Sequence, residues 1–302
     1  FNLKLKSKSP ASQIAEIMTN LENQLGNKDD IVLVQGDTNS VLATSLLAVK
    51  LKRKIAHIEA GLRSFDWRMP EEHNRRMVDH ISDLLFAPTK NSYQNLIDEN
   101  VTGSIHISGN TVMDAIKDHL PFSRKKSKIM QHVKFSEYIL TTIHRAENVD
   151  NEKVLNNIIK GIIGAKTPTI ISLHPRTKKM LEKFSMIKKL ENCKHVQIIN
   201  PQGYLDFLAL IKNSRFVMTD SGGIQEEITS PLLSKRVLVL RESSERPEAI
   251  NAGMASLIPL RHQNITKSIL QEWDKKEVKI KKSPYGNGNS ASKILTVLEK
   301  YS

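Results

Sequence analysis

One cysteine, Cys193, stands in a chain of 302 residues. That scarcity excludes an internal disulfide and any cysteine-built zinc cluster. Aromatic residues reach only 5%, and no RNA- or DNA-recognition motif accompanies them, so nucleic acid is not expected as a partner. Acid is in deficit: 45 Lys and Arg face 32 Asp and Glu, for a net charge of +13. Long apolar runs are missing too. No window approaches the roughly 18 uninterrupted apolar residues of a membrane span. The opening stretch is Lys/Ser-rich rather than apolar, unlike a secretory signal. These absences lead to the expectation of a cytoplasmic protein with no membrane partner. No pair of histidines has ligand spacing with supporting acids, so no metal is expected. Internal repeats and low-complexity tracts are absent.

What remains is ordinary for a globular chain: 39% hydrophobic and 25% charged residues, with enough length for two cores. The excess positive charge lies in short runs, Lys50–Lys54, Arg124–Lys128 and Lys275–Lys282. Such runs suit solvated faces, and a basic chain suits an anionic small molecule.

Short apolar, β-branched runs alternate with amphipathic stretches. The predicted strands are Ile31–Val34, Ile55–Ile58, Leu84–Ala87, Ile105–Ile107, Tyr138–Thr142, Thr169–Leu173, Val196–Ile199, Phe216–Thr219 and Val237–Leu240. Helical patterns occupy Ala11–Leu25, Val41–Leu51, Met77–Asp83, Thr177–Leu190 and Tyr204–Lys212. This alternation predicts an α/β fold with parallel sheets covered on both faces. The rhythm breaks around Pro121. The expected division is therefore an N-terminal α/β domain over 1–120, a linker over 121–134 and a C-terminal α/β domain over 135–290. The final helix, 291–302, is assigned to the first domain.

Polar side chains cluster just after the strands, where open α/β sheets bind ligands. Asp37 follows the first predicted strand, and a structural cap on the next helix is its default reading, a role that Thr38 or Asn39 could fill equally well. Glu59 follows an apolar strand and precedes Ala60-Gly61. A carboxylate there is expected to be partly buried, and burial raises a carboxyl pKa toward the range of a general acid or base. The alternative is a structural ion pair with Arg63. Pro70-Glu71-Glu72 opens a helix, where proline suits the first position and acids the first turn. Met77, Val78, Ile81, Leu84 and Leu85 would put a buried stripe behind them. His144-Arg145 follows a strand beyond the linker, and His with Arg suits a phosphate leaving group. Asp220-Ser221-Gly222-Gly223 turns from strand to helix. Paired glycines admit close backbone approach, and free N–H groups at a helix start favour an anion. Glu227, one turn on, could take ribose hydroxyls. An N-capped helix after a tight turn explains Ser-Gly-Gly equally well.

Taken together, these motifs resemble the non-hydrolysing UDP-N-acetylglucosamine 2-epimerases. The matching segments are Val34–Thr38, His57–Arg63, Pro70–Glu72, Gly109–Thr111, His144-Arg145, Asp220–Glu227 and Glu245–Glu248, in order along the chain. The resemblance implies two Rossmann-like domains in a glycosyltransferase-B arrangement, with the active site between them. It implies interconversion of UDP-N-acetylglucosamine and UDP-N-acetylmannosamine, for surface polysaccharide precursors, by UDP elimination and re-addition without a cofactor. The family's catalytic groups fall on Asp37, Glu59, Glu71 and His144. Its uridine and ribose contacts fall on Gln202, Phe207 and Glu227. Its diphosphate contacts fall on Ser221, Gly222 and Gly223, with Arg246 also in the binding site. A homodimer is the family's suggestion. The family opens with a strand and a Gly-x-Arg-Pro-Glu loop that has no counterpart after Phe1, so the first domain is expected to lack its first strand or strands. Ser234-Lys235-Arg236 replaces an expected Gly-Lys-Pro and is read as a loop change. A UDP-sugar transferase of the same architecture, or a non-catalytic UDP-sugar-binding protein, are the other readings of the same motifs.

Overall fold

The computed structural model describes residues 3–27 and 29–301. Phe1, Asn2, Lys28 and Ser302, which the expected domain spans include, lie outside the described residues. The chain forms two compact units: residues 1–114 with 285–302, and residues 115–284.

In unit 1, α1 (Pro10–Leu21) precedes β1 (Val32–Gln35), α2 (Asn39–Lys50), β2 (Ile55–Ile58), α3 (Pro70–Ile81), β3 (Leu84–Ala87), α4 (Lys90–Asp98) and β4 (Ser104–Ile107). The four strands are parallel in the order β1-β2-β3-β4. Every residue of β2 and β3 is buried, as expected for central strands covered on both faces. The edge strands expose Leu33 and Ile107. Val34, Val41, Leu42, Ile55 and Val78 form one apolar cluster, while Ala56, Ile58, Leu84, Phe86 and Ile294 form another.

The chain leaves unit 1 within α5 (Val112–Lys126), which runs through Pro121. The span expected as a linker is thus helical in its first part, and a 3-10 turn, Ile129–His132, follows. Unit 2 then adds β5 (Ile139–Thr142), α6 (Ala146–Val149), α7 (Glu152–Ala165), β6 (Thr169–Ser172), α8 (Pro175–Lys183), α9 (Ile187–Glu191), β7 (Val196–Ile199), α10 (Tyr204–Asn213), β8 (Phe216–Thr219), α11 (Gly222–Glu227), β9 (Val237–Val239), α12 (Pro247–Asn251), β10 (Ala255–Leu257) and α13 (His262–Trp273). Its parallel sheet has the order β10-β9-β8-β5-β6-β7. The order reverses beside β5: the chain builds outward through β6 and β7, then returns to β8 on the other side. Such a reversal opens a crevice at the carboxyl ends of the strands. The helix expected over Thr177–Leu190 is broken in two where Ser185 takes φ +54°. Strand β10 carries no long apolar run, and the sequence alone does not reveal it.

The last helix, α14 (Ser290–Leu298), belongs to unit 1. Asp114 accepts hydrogen bonds from the Ser290 and Ala291 N–H groups at 3.0 and 3.2 Å, a carboxylate at a helix N-terminus. Among the described residues no helix is long and apolar enough to cross a membrane.

Candidate active site

In unit 1 three carboxylates gather after strands or at a helix start, each held differently. Asp37 lies in the turn between β1 and α2. Thr38, not Asp37, is the N-cap residue of α2, and it makes no side-chain cap bond. Asp37 instead pairs with Arg75 of α3 at 2.5 Å, and Asn74 donates to the Asp37 carbonyl at 3.0 Å. The capping reading is thereby replaced by an ion pair that ties the turn to α3.

Glu59 directly follows β2 and takes the left-handed region, at φ +70°. A non-glycine residue there carries strain of order 1–3 kcal/mol and persists only when its surroundings impose it. Gln35 donates to Glu59 Oε1 at 3.0 Å, and the residue is half-buried. Its proposed structural partner is engaged elsewhere: Arg63 binds Asp79 at 2.7 Å and Glu99 at 2.6 Å. Glu71 sits half-buried in the first turn of α3. Glu72 beside it is fully buried and accepts from Ser64 N–H and Oγ, both at 2.9 Å, and from Arg75 at 2.9 Å. Burial would push its carboxyl up, but these donors outweigh it and hold it below the usual range. The predicted buried stripe needs one correction. Met77 is exposed, and the buried face of α3 carries Asn74, Arg75, Val78 and Asp79 instead. Charge neutralisation by Glu72, Asp37, His57 and Arg63 makes such a polar face tolerable inside the unit.

In unit 2, His144 and Arg145 follow β5, and both are organised by Asp220 at the end of β8. Asp220 is fully buried. It accepts from His144 N–H at 3.1 Å, Arg145 N–H at 2.9 Å and Asn148 Nδ2 at 3.0 Å, with His144 Nδ1 at 3.2 Å. Burial works against its charge, yet the donors led by His144 keep its carboxyl below the usual range. The His144 and His174 rings lie 5.5 Å apart.

Ser221 is the N-cap of α11 without a side-chain cap bond, and its N–H donates to Thr219 Oγ1 at 3.0 Å. Gly222 has a reason of its own. A Cβ there would meet Glu245 Oε1 at 2.6 Å, whereas one on Gly223 would meet nothing within 4 Å. Glu245 is buried among guanidinium groups: Arg241 at 2.7 Å, Arg246 at 3.2 Å and Arg145 at 3.4 Å. Although burial alone would raise it, these charges, Arg246 foremost, pull its carboxyl down to about 2. Arg246 also binds Glu226 at 2.7 Å. Glu227 lies at the last residue of α11, half-buried. Desolvation pushes its carboxyl up to about 7, against a hydrogen bond from the Tyr204 hydroxyl. Gln202 sits in the loop before α10, donating to the Asn200 carbonyl at 2.7 Å. Phe207 is half-buried on α10.

A family profile described as UDP-N-acetylglucosamine 2-epimerase matches residues 1–299. The chain belongs to that family. It is 42% identical over 308 residues to the UDP-N-acetylglucosamine 2-epimerase of Methanocaldococcus jannaschii, covering 99% of this chain and 83% of the relative. The crystal structure of the Methanocaldococcus jannaschii enzyme with UDP-GlcNAc and UDP is similar at TM-score 0.91 and 41% identity, over 99% of this chain and 84% of that one. The Neisseria meningitidis enzyme bound to UDP-GlcNAc is similar at TM-score 0.86 and 34% identity, over 99% and 84%. The two parallel-sheet units are those of this glycosyltransferase-B-like fold, and the chain is an epimerase, an isomerase of nucleotide sugars.

Several groups of this epimerase were given no role by the sequence reading. His57, Asp220 and Glu245 stood within its motifs, and Arg75, Asp79 and Tyr204 stood outside them, yet all six hold the candidate groups in place. Arg75 and Asp79 carried a signal, because they fall on the same helical face as Val78. A charged residue in a buried register needs a partner.

Proposed function

We propose that this chain interconverts UDP-N-acetylglucosamine and UDP-N-acetylmannosamine by elimination and re-addition of UDP. A carboxylate of unit 1 takes the proton from carbon 2. The electron pair of that C–H bond becomes the C1=C2 double bond of a 2-acetamidoglucal, and the C1–O bond breaks with both electrons leaving on UDP. In the return step a diphosphate oxygen attacks carbon 1, and carbon 2 is reprotonated on the opposite face. Proton traffic on two faces of one carbon calls for more than one acid/base group, and Asp37, Glu59 and Glu71 supply three. Each such group contributes about 10²–10⁴-fold in rate. The steps are redox-neutral and call for no cofactor.

Unit 2 takes the leaving group. Gln202, Phe207 and Glu227 contact uridine and ribose. Ser221, Gly222, Gly223 and Arg246 contact the diphosphate, and His144, oriented by Asp220, faces the charge that develops as UDP departs. The product feeds surface polysaccharide precursors.

The observation that supports this reading best is Glu59 at φ +70° with its carboxylate hydrogen-bonded by Gln35. Strain of that kind clusters at working sites. The test is incubation with UDP-N-acetylglucosamine in heavy water, followed at carbon 2 by NMR. Deuterium at carbon 2 together with an N-acetylmannosamine product is expected. Free N-acetylmannosamine with UDP would point to a hydrolysing enzyme, and transfer to an acceptor without exchange would point to a transferase.

A further inference from the structure

We infer that His57 is a positioning residue of the epimerase: its ring, protonated on both nitrogens, pins the turn that carries Asp37 to the helix that carries Glu71. The inference rests on the proposed function for the roles of those two carboxylates. The ring's protonation state does not.

His57 lies in the middle of β2 and is fully buried. Its Nδ1 is 2.7 Å from Asp79 Oδ1, and its Nε2 is 2.9 Å from the Gly36 carbonyl oxygen. A carbonyl oxygen only accepts, so Nε2 must carry a proton. On the other side, Asp79 Oδ2 already faces two donors, the Gly61 N–H at 3.1 Å and the Arg63 guanidinium at 2.7 Å. Those donors keep Asp79 ionised, an ionised carboxylate only accepts, and Nδ1 must therefore carry a proton as well. The result is a buried chain of alternating charge: His57, Asp79, Arg63, and Glu99, which receives two Arg63 bonds at 2.9 and 2.6 Å. Burial opposes the charge on His57, but the Asp79 bond outweighs it, with Glu59 a further favourable charge.

The partners are the turns that matter. Gly36 takes φ +82° and Gly61 φ +79°. Gly36 immediately precedes Asp37, and Gly61 follows Glu59 by two residues. Asp79 rides on α3, two turns beyond Glu71. One ring and one carboxylate thus fix three segments, each bearing one of the proposed acid/base groups. His57 itself is enclosed and touches no reacting atom.

The direct test is long-range ¹⁵N–¹H NMR of ring-labelled protein at pH 7.5, with the signal assigned by its loss in His57→Gln. Two protonated nitrogens are expected, and one bare nitrogen would overturn the inference. Positioning is read separately. In His57→Gln, which keeps a donor but not the charge, kcat for carbon-2 exchange should fall about 30-fold or more with KM within threefold. In Asp79→Asn, His57 loses its counter-charge, so exchange should decline from pH 6 to pH 8 relative to wild type. A folded His57→Gln variant with wild-type kcat, or an Asp79→Asn profile parallel to wild type, would overturn it. Were the wild-type chain to show no exchange, the proposed function would fail. Positioning would then rest on amide hydrogen exchange at Gly36 and Gly61, whose N–H groups donate to the Ile58 carbonyl and to Asp79, expected to quicken at least tenfold in the Asp79→Asn protein. Unchanged protection would refute it.

Discussion

The two units use buried carboxylates in opposite ways. In unit 2, Asp220 and Glu245 are enclosed and saturated with donors, and they serve as anchors for His144, Arg145, Arg241 and Arg246. In unit 1 the enclosed carboxylates, Glu72 and Asp79, anchor a helix and two turns, while Asp37, Glu59 and Glu71 are left half-accessible in front of them. One unit thus presents cations and backbone N–H groups, suited to holding a diphosphate. The other presents carboxylates, suited to moving protons. An anchoring carboxylate should matter to stability, and a presented one to rate or affinity.

Substitutions sharpen that division. Glu59→Gln should lower carbon-2 exchange by about 10²–10⁴-fold while UDP affinity, measured by calorimetry, stays within threefold. A wild-type exchange rate would remove Glu59 from the acid/base set. Glu245→Ala removes the buried counter-charge shared by three guanidinium groups and should cost about 3–5 kcal/mol in chemical unfolding. The stabilisation from Glu245 is present above the ordinary glutamate range and is lost as pH falls through about 2. An unaltered unfolding curve would mean that the arginines do not need their anchor.

Glu227→Ala should weaken UDP-N-acetylglucosamine binding by about 1.5–3 kcal/mol, the worth of hydrogen bonds to a charged group. Because the Glu227 carboxyl is raised to about 7, its ionised form is lost on acidification. Affinity should therefore drop about tenfold between pH 8 and pH 6, and Glu227→Gln should flatten that dependence. A pH-independent wild type would contradict the ribose role. The smallest effect belongs to Met77→Gln. Met77 is exposed on a helix whose buried face is polar, so unfolding should shift by less than about 0.5 kcal/mol. A shift above about 2 kcal/mol would show Met77 to be covered.

How far the sequence reached follows from which forces act locally. Nine strands were legible within about two residues, because central parallel strands are short apolar runs flanked by polar turns. Strand β10 was not, since Ser256 and Leu257 are exposed and its pairing with β9 is a tertiary matter. Helix α5 defied the expected break at Pro121. The expectation rested on a local breaker and a Lys/Ser run, whereas Leu120 and Ser123 on either side of Pro121 are buried and Ser123 Oγ donates to the Leu205 carbonyl at 2.6 Å. The candidate residues were found by placement after strands and by resemblance. Their supports were not, because Arg75 and Asp79 act on groups distant in sequence, as Glu245 does on Arg145. Nothing local in Asp37 announces that Arg75, 38 positions on, will claim it.

The return of α14 to unit 1 has a consequence for how the protein is made. Residues 115–284 separate the first part of unit 1 from the helix whose Ile294 joins Ile58 and Phe86. At ribosomal speeds those intervening residues take on the order of ten to thirty seconds to synthesise. Throughout that interval the nascent first sheet carries an uncovered apolar face, while unit 2 emerges as one uninterrupted stretch. The unit that reaches the exit tunnel first is the one completed last, and its window for chaperone capture is set by the length of its neighbour.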